Sequence, residues 1–288
     1  MVYTQKSPST VSSIQEFKLA YFGRVLSHSR LGEVYKLCCH SQGIDLKLRQ
    51  FEVEPKELKA KMLNLKSQSG THICITVPYK VQAFELCDFL TERARQAGSV
   101  NIIRNQQGVF YGDNSDGEGF IRDVKSNNRL SFRNKKLLVL GAGGVLRGML
   151  MELIDQCPKS ILICNRSQER LQKIKRDFPF DLISTCTYKN IPQEPFDFII
   201  NATSASIQGH HLPLNPAIIG PETHCLECAY KIAEHTIFQK WAFASGAKSS
   251  INGLGMLVEQ AVVALDFFSN LSINSSPILK HYERQKSN

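Results

Sequence analysis

A glycine-rich turn carries the clearest chemical signal in this chain. The run Gly141-Ala142-Gly143-Gly144 follows the apolar segment Lys136–Leu140, which predicts a buried strand, and precedes a predicted helix over residues 145–154. Glycines at such a turn let backbone amides approach a pyrophosphate at the positive end of a helix. The glycines alone could also make a simple tight bend, and Leu146 fills a position that usually carries a small residue.

A basic segment downstream identifies the kind of nucleotide. Asn165-Arg166-Ser167 follows a predicted strand over residues 159–164. Enzymes that use NAD usually place an acidic residue there to bind the ribose hydroxyls. A neutral Asn165 and the fork of Arg166 instead favour a ribose 2′-phosphate, because arginine makes charge-assisted bonds to phosphate oxygens. The two segments together predict an NADP site, and Arg170, one turn further on, is expected to face solvent.

Two ionisable residues outside this region stand where predicted strands end, the usual place for ligands in open α/β sheets. Lys80 follows Thr76-Val77-Pro78-Tyr79 at a predicted helix start. The positive end of a helix disfavours a second positive charge, so a lysine there gives up its proton more readily, and this suits proton transfer. Asp116, in Asn114-Ser115-Asp116-Gly117, also begins a helix, where a carboxylate is stabilised as an anion. Ordinary explanations exist too, because first-turn lysines are usually solvated and Asn-Ser-Asp-Gly is a common turn and cap.

The elements that must position these residues alternate between strands and helices. In the first half the pattern predicts strands over 18–26, 46–53 and 72–77, helices over 31–42, 55–65, 81–86, 91–97 and 117–125, and a hairpin of 99–104 with 109–111. Polar residues 126–134 form the predicted linker. The second half continues with strands over 196–201 and 224–228, a long helix over 252–270 and a tail that we expect to be loose. The alternation indicates an α/β protein of two domains.

Composition narrows the class of protein. The chain has 288 residues, 42% of them hydrophobic and 21% charged, and it contains no apolar run of the roughly 18 residues that a membrane helix needs. We therefore expect no membrane span, a cytoplasmic location and a disordered extension over residues 1–17, which are rich in Ser and Thr and lack a signal-peptide core.

The net charge of +9 comes from dispersed basic residues. An anionic cofactor and a small-molecule substrate explain that charge, and no nucleic-acid partner is expected.

The cysteines predict neither disulfides nor a metal. Nine of them, an odd number, lie mostly inside apolar patterns, which is typical of reduced and buried thiols. Cys225 and Cys228 form a Cys-x-x-Cys pair, but no second pair or histidine cluster accompanies it. We therefore expect no metal site.

The ordered set of motifs resembles the shikimate dehydrogenase family. In chain order, the motifs that carry the resemblance are Thr76-Val77-Pro78-Tyr79-Lys80, Ser99-Val100-Asn101, Asn114-Ser115-Asp116, the glycine turn, Asn165-Arg166-Ser167, Asn201-Ala202-Thr203-Ser204 and Asn252-Gly253-Leu254-Gly255-Met256-Leu257-Val258-Glu259-Gln260-Ala261. The last segment is the most specific. The resemblance extends over residues 19–270. It implies a substrate domain of residues 18–125 and 251–288, a Rossmann-type NADP domain of residues 126–250, and a hinged cleft between them.

The resemblance also implies an activity and a set of site residues. NADPH would reduce 3-dehydroshikimate to shikimate by hydride transfer, with Lys80 and Asp116 as the catalytic pair and Lys80 carrying the proton. The implied substrate-binding residues are Ser29, Thr76, Asn101, Tyr230 and Gln260. The implied cofactor-binding residues are Gly141, Ala142, Gly143, Gly144, Asn165, Arg166, Ser167, Asn201, Thr203, Ser204, Gly253 and Met256. The expected assembly is a monomer or a homodimer.

Three positions depart from the family pattern in the expected substrate pocket. Leu31 replaces the second serine that binds the substrate carboxylate, Cys74 replaces an asparagine, and Ile232 replaces a proline. Arg30 could supply the lost contact, although solvent exposure is its more ordinary fate. The departures leave two alternatives open: an oxidoreductase for quinate or another cyclic hydroxy acid, and a nucleotide-binding regulatory protein without turnover. The presence of both Lys80 and Asp116 argues against the second.

Overall fold

The computed structural model describes residues 16–27 and 29–286 and has the α/β architecture that the sequence predicts. The strands are β1 (Glu16–Gly23), β2 (Asp45–Glu52), β3 (Thr71–Ile75), β4 (Phe89–Leu90), β5 (Ile102–Gln106), β6 (Val109–Asp113), β7 (Lys136–Leu140), β8 (Ser160–Cys164), β9 (Ile183–Cys186), β10 (Phe198–Asn201), β11 (His224–Glu227) and β12 (Ser249–Ile251). The helices are α1 (Leu31–Ser41), α2 (Pro55–Lys66), α3 (Lys80–Phe84), α4 (Glu92–Ala97), α5 (Asp116–Arg122), α6 (Gly144–Asp155), α7 (Gln168–Asp177), α8 (Ile237–Ala244), α9 (Leu254–Ser269) and α10 (Ser276–Lys286).

The first sheet is mixed and comes from the N-terminal part of the chain. Its strand order is β2-β1-β3-β5-β6-β4, with β1 parallel to both neighbours and β5 antiparallel to β3 and β6. Successive residues of β1 are buried on opposite faces: Leu19 and Tyr21 join the core under α1 and α9, whereas Ala20 and Phe22 join the core under α2. Helices therefore cover both faces, and the continuous apolar run of residues 19–22 in β1 follows from that burial.

The second sheet is parallel throughout, with the strand order β12-β11-β10-β7-β8-β9. The chain moves outward from β7 through β8 to β9 and then returns to β10 on the other side of β7. This reversal creates a switch point between β7 and β10, and open α/β sheets bind ligands at the carboxyl ends of the strands that flank such a point. The glycine turn and residues 201–204 leave the sheet there.

Short helices join the two sheets. α5 packs against α6 on one side and against α9 on the other. A Cβ atom on Gly117 would lie 2.5 Å from the Gly148 carbonyl oxygen, and one on Gly119 would lie 2.6 Å from the Gln260 nitrogen. Real Cβ atoms essentially never approach that closely. The two glycines thus let α5 touch both helices at backbone distance.

The structure corrects two sequence-based boundaries. Glu16 and Phe17, assigned to the disordered extension, begin β1, and Phe17 is buried because its ring stacks on His72. Residues 1–15, the rest of that extension, lie outside the described residues. The domain boundary after residue 250 falls inside β12, whose Ile251 pairs with Leu226 of the second sheet.

The tail after residue 270, which we expected to be loose, forms the helix α10. Ile278 and Tyr282 lie on one side of this helix and are buried against the core beside α1 and α9. Their spacing of four residues places them on one helical face. The prediction was wrong because this short apolar stripe is stabilised by tertiary packing, which composition does not show.

Within residues 16–27 and 29–286, no helix is long and apolar enough to cross a membrane. The same residues contain no group of three His, Cys, Asp or Glu side chains arranged to hold a metal ion. Cys225 is buried in β11, and the nearby Cys228 thiol lies 3.8 Å from the sulfur of Met149.

Candidate active site

Lys80 and Asp116 form a buried ion pair. Lys80 is the first residue of α3, Asp116 is the first residue of α5, and Lys80 Nζ lies 2.5 Å from Asp116 Oδ2. Their side chains are only 9% and 1% exposed, respectively. Two helix starts that are 36 residues apart in the chain therefore bring an ammonium group and a carboxylate into direct contact.

Neighbouring amides hold the carboxylate of Asp116 in place. Asn101 Nδ2 donates to Asp116 Oδ1 at 2.9 Å, and Asn101 Oδ1 accepts from the Ser115 backbone N–H at 2.9 Å. Asn114 Oδ1 accepts from the Asp116 backbone N–H at 3.0 Å. Because each oxygen of Asp116 has its own donor, the carboxylate has one orientation, with Lys80 on one oxygen and Asn101 on the other.

A cleft of about 280 Å³ opens beside this pair. Its lining residues are Leu31, Tyr35, Cys74, Ile75, Thr76, Lys80, Asn101, Ile102, Ser115 and Gln260. The polar side chains of Lys80, Asn101 and Ser115 form one part of the lining. Leu31 and Tyr35 of α1 and Cys74 of β3 form another part, which we call the α1 wall. The cleft is thus polar where the ion pair lies and mainly apolar at the α1 wall.

Ser29, Arg30 and Tyr230 lie near the start of α1. The Ser29 hydroxyl is 2.8 Å from the phenolic oxygen of Tyr21, and the Arg30 backbone N–H donates to the phenolic oxygen of Tyr230 at 2.8 Å. The Arg30 guanidinium is 55% exposed and pairs with Glu33 at 3.0 Å. Arg30 therefore faces solvent, and the reason is its place directly before a helix rather than in a strand.

The glycine turn lies at the switch point and against the ion pair. Gly141 has φ of +110°, a region that favours glycine, and a Cβ atom there would lie 3.1 Å from the Ala202 carbonyl oxygen. A Cβ atom on Gly143 would meet nothing within 4 Å. A Cβ atom on Gly144 would lie 3.9 Å from two carbons of Lys80. Ala142 is buried between these glycines. The turn is therefore open on one side and in contact with Lys80 on the other.

The segment after β8 presents an unpaired arginine. Asn165 is nearly buried and its Nδ2 donates to the Ser167 carbonyl at 3.4 Å, while the Ser167 hydroxyl caps α7 by accepting from the Arg170 N–H. Arg166 is exposed and makes no ion pair with any described residue. Burial raises the pKa of the nearby Tyr188 to about 12, and the positive charge of Arg166 opposes that rise.

Beyond β10, a buried carboxylate organises the second side of the switch point. Asn201 is fully buried, its Nδ2 donates to Glu227 Oε1 at 2.9 Å, and its Oδ1 accepts from the N–H and hydroxyl of Thr203 at 3.0 and 2.7 Å. Glu227 also accepts from the hydroxyls of Thr236 and Ser206, and burial raises its pKa. Asn201 thus shapes the turn of residues 202–206 with both of its polar atoms, and the exposed Ser204 lies on that turn.

The start of α9 approaches the same place. A Cβ atom on Gly253 would lie 2.2 Å from the Cys228 carbonyl oxygen, so only glycine fits. Met256 is buried in the core of the second sheet although it belongs to α9. Gln260, one turn further along α9, lines the cleft. The cleft, the glycine turn and α9 therefore meet around Lys80 and Asp116.

Comparisons with known proteins identify the family. Residues 21–103 match the family described as "Shikimate dehydrogenase substrate binding domain", and residues 124–208 match "Shikimate / quinate 5-dehydrogenase". The chain is 33% identical over 258 residues to Shikimate dehydrogenase (NADP(+)) of Colwellia psychrerythraea, covering 90% of this chain and 93% of that relative. The chain belongs to the shikimate dehydrogenase family.

Two further comparisons agree with this assignment. Shikimate dehydrogenase (NADP(+)) of Aeromonas hydrophila is 35% identical over 265 residues, which cover 91% of this chain and 96% of that relative. Among solved structures, an Ael1 enzyme from Pseudomonas putida superposes with a TM-score of 0.84 at 28% identity and covers 92% of this chain and 98% of that one. The family resemblance and the two-domain α/β fold predicted from the sequence are confirmed.

Three residues of this shikimate dehydrogenase family member were missed by the sequence analysis. Tyr35 lines the cleft, Glu227 holds Asn201, and Arg147 of α6 donates from Nε to the Ala97 carbonyl of α4 at 3.0 Å. Glu227, a charged residue inside a strand that is otherwise buried, was the one available signal. Tyr35 and Arg147 lie in ordinary helical patterns, so no local signal marked them.

Proposed function

We propose that this protein reduces 3-dehydroshikimate to shikimate with NADPH. The observation that carries the proposal is the contact between the Lys80–Asp116 pair and the glycine turn of α6. A Cβ atom on Gly144 would lie 3.9 Å from Lys80, and one on Gly148 would lie 3.1 Å from the Cβ of Asp116. A nucleotide held at that turn and a ketone held at that ion pair would be neighbours, as transfer between them requires.

The chain's own residues fit the proposed cofactor. Gly141, Ala142, Gly143 and Gly144 would receive the pyrophosphate at the start of the twelve-residue helix α6, where backbone N–H groups are free. Arg166, with the Asn165 and Ser167 neighbours, would bind the 2′-phosphate. Thr203, Ser204, Gly253 and Met256 would border the nicotinamide, with Asn201 fixing the turn. When bound, NADPH supplies the hydride that reduces the ketone carbon.

The ion pair would supply the proton and hold the substrate. Lys80 Nζ would donate its proton to the ketone oxygen as that oxygen gains charge. Asp116 would keep the ammonium in place and accept from a ring hydroxyl, and Asn101 would bind a neighbouring hydroxyl. Ser29, Thr76, Tyr230 and Gln260 would complete the substrate site. The low exposure of Lys80 and Asp116 supports this role, because a water-poor site strengthens charge interactions.

The proposal extends to the organisation of the chain. We assign the substrate domain to residues 18–125 and the C-terminal segment, and the NADP domain to residues 126–250, with the correction at β12 given above. We further propose that the two domains hinge about their cleft, that the protein is a monomer or a homodimer without a nucleic-acid partner, and that it works in the cytoplasm. The two separate sheets, joined through α5, support this division.

The α1 wall leaves one alternative open, an oxidoreductase for quinate or another cyclic hydroxy acid, because Leu31 departs there from the family pattern. NADPH oxidation should be measured with 3-dehydroshikimate and a small panel of cyclic keto acids. Turnover of 3-dehydroshikimate above all others supports the proposal. Preference for another keto acid favours the alternative, and NADPH binding without any turnover would indicate a nucleotide-binding regulatory protein.

A further inference from the structure

Tyr35 places a buried hydroxyl in the α1 wall. Leu31 and Tyr35 lie four residues apart on α1, so their side chains share one face of the helix, and both line the cleft. The phenolic oxygen of Tyr35 is 2.9 Å from Cys74 Sγ, and either group can donate. Between them, the three side chains of the wall offer one phenol and one thiol for hydrogen bonding.

The thiol is a weak partner for that phenol. A cysteine S–H is a poor donor and its sulfur a poor acceptor, whereas a phenol is a good donor. Burial raises the pKa of Tyr35 well above its ordinary value and that of Cys74 to about 12, so both groups keep their protons near neutral pH. The O–H of Tyr35 is therefore available to a better acceptor at little cost.

Three other donors near the wall are already engaged. The Ser29 hydroxyl is 2.8 Å from Tyr21 and also accepts from the Leu31 N–H at 3.3 Å. Arg30 pairs with Glu33 in solvent, and Lys80 pairs with Asp116. Tyr35, whose present partner is a thiol, is easier to release than these three donors.

We propose that the Tyr35 hydroxyl binds the carboxylate of the substrate and makes Tyr35 a specificity-determining residue of this cleft. This inference rests on the proposed function. In 3-dehydroshikimate the carboxylate is attached two ring carbons from the ketone. With the ketone and its neighbouring hydroxyl at Lys80, Asp116 and Asn101, the carboxylate faces a different part of the lining. The α1 wall supplies that part. The Tyr35 hydroxyl would leave the Cys74 thiol and donate to a carboxylate oxygen instead, which is a stronger hydrogen bond because the acceptor is charged.

The test compares Tyr35→Phe with wild type in steady-state reduction of 3-dehydroshikimate by NADPH. A hydrogen bond to a charged group contributes about 1.5–3 kcal/mol, so the KM should rise roughly ten- to a hundredfold, with kcat and NADPH affinity within about threefold. Tyr111→Phe is the matched control, because it removes a hydroxyl from the β6 tyrosine that stacks on Phe89, outside the cleft lining. Its KM should equal that of wild type.

A second substrate identifies the group that Tyr35 binds. 5,6-Dihydroxycyclohex-2-en-1-one retains the ketone and both hydroxyls but lacks the carboxylate. Wild type and Tyr35→Phe should reduce it with the same KM. A Tyr35→Phe enzyme whose KM for 3-dehydroshikimate stays within about twofold of wild type overturns the inference, and so does an equal loss with both substrates. If the wild type does not reduce 3-dehydroshikimate at all, the proposed function is refuted instead. This outcome is seen before any substitution is made, so it cannot be confused with failure of the Tyr35 inference.

Discussion

Asp116→Asn separates the two charges of the ion pair with the least change of shape. Lys80 Nζ is 2.5 Å from Asp116 Oδ2, and both side chains are almost fully buried. After the substitution the ammonium remains in the same site without its counter-charge. Removing one partner of a buried pair costs about 3–5 kcal/mol of stability.

The measurement combines urea unfolding at pH 7 with steady-state kinetics. Asp116→Asn should lose about 3–5 kcal/mol of unfolding free energy, and the double variant with Lys80→Met should recover most of that loss, because no charge is left unpaired. Catalysis should not recover with stability. Lys80→Ala and the double variant should both lose about a hundredfold or more in kcat, since a positioned proton donor contributes about 10² to 10⁴. Asp116→Asn should also raise the KM for substrate.

The two readouts make the reasoning refutable at separate points. If Asp116→Asn unfolds at the wild-type urea concentration, the pair is not buried as the geometry requires. If Lys80→Ala retains wild-type kcat, Lys80 is not the proton donor, whatever the stability shows. NADPH affinity serves as the control for both variants and should stay within about threefold, because neither side chain is proposed to bind the phosphates.

Four shorter predictions test the surrounding residues. Arg166→Ala should weaken NADPH binding by roughly ten- to a hundredfold and leave NADH binding unchanged, whereas the exposed Arg170→Ala should change neither; equal use of both cofactors by wild type would contradict the 2′-phosphate assignment. Glu227→Leu should raise the NADPH KM more than it lowers kcat, because Asn201 and the turn after β10 lose the acceptor that holds them; an unchanged NADPH KM would remove that role. Leu31→Ser should lower the KM for 3-dehydroshikimate by adding a hydroxyl to the α1 wall; no change would mean that the carboxylate lies out of reach of residue 31. Burial raises the pKa of Glu152 to about 7, so the folded state binds a proton that the unfolded state releases above its ordinary value of 4.5. Unfolding free energy should therefore fall as pH rises between these values, by up to about 1.4 kcal/mol per unit, and Glu152→Gln should remove that part of the slope.

Local sequence was sufficient where short-range chemistry decides the structure. The β7 strand, the glycine turn and α6 were predicted together because an apolar run, a group of glycines and a helical pattern follow each other directly in the chain. The structure has these elements in that order, and Gly141 adopts a φ that suits glycine. Lys80 and Asp116 were placed at helix starts for the same reason, and both begin a helix. The direct contact between them depends on how β3 and β6 are arranged in the sheet, and spacing along the chain does not contain that information.

Long-range packing decided what the sequence did not reveal. Tyr35 carries a functional hypothesis only because α1 packs its face against Cys74 of β3, 39 residues away. α10 forms because Tyr282 finds a buried place beside α1, and Phe17 joins β1 because His72 and Phe268 surround its ring. In each case an unremarkable residue acquires its role from a partner that is distant in sequence.

The helix α5 connects the ion pair to the elements on both sides of it. Asp116 begins this helix, and a Cβ atom on Gly148 of α6 would lie 2.7 Å from Asn114 Oδ1 and 3.1 Å from the Asp116 Cβ. On its other side, Gly119 meets the backbone of Gln260, which lines the cleft. A shift of α6 would therefore displace the carboxylate that holds Lys80, and a shift of α9 would displace Gln260. Because densely packed elements transmit displacements instead of absorbing them, the small residues along α5 couple the position of the glycine turn to that of the ion pair.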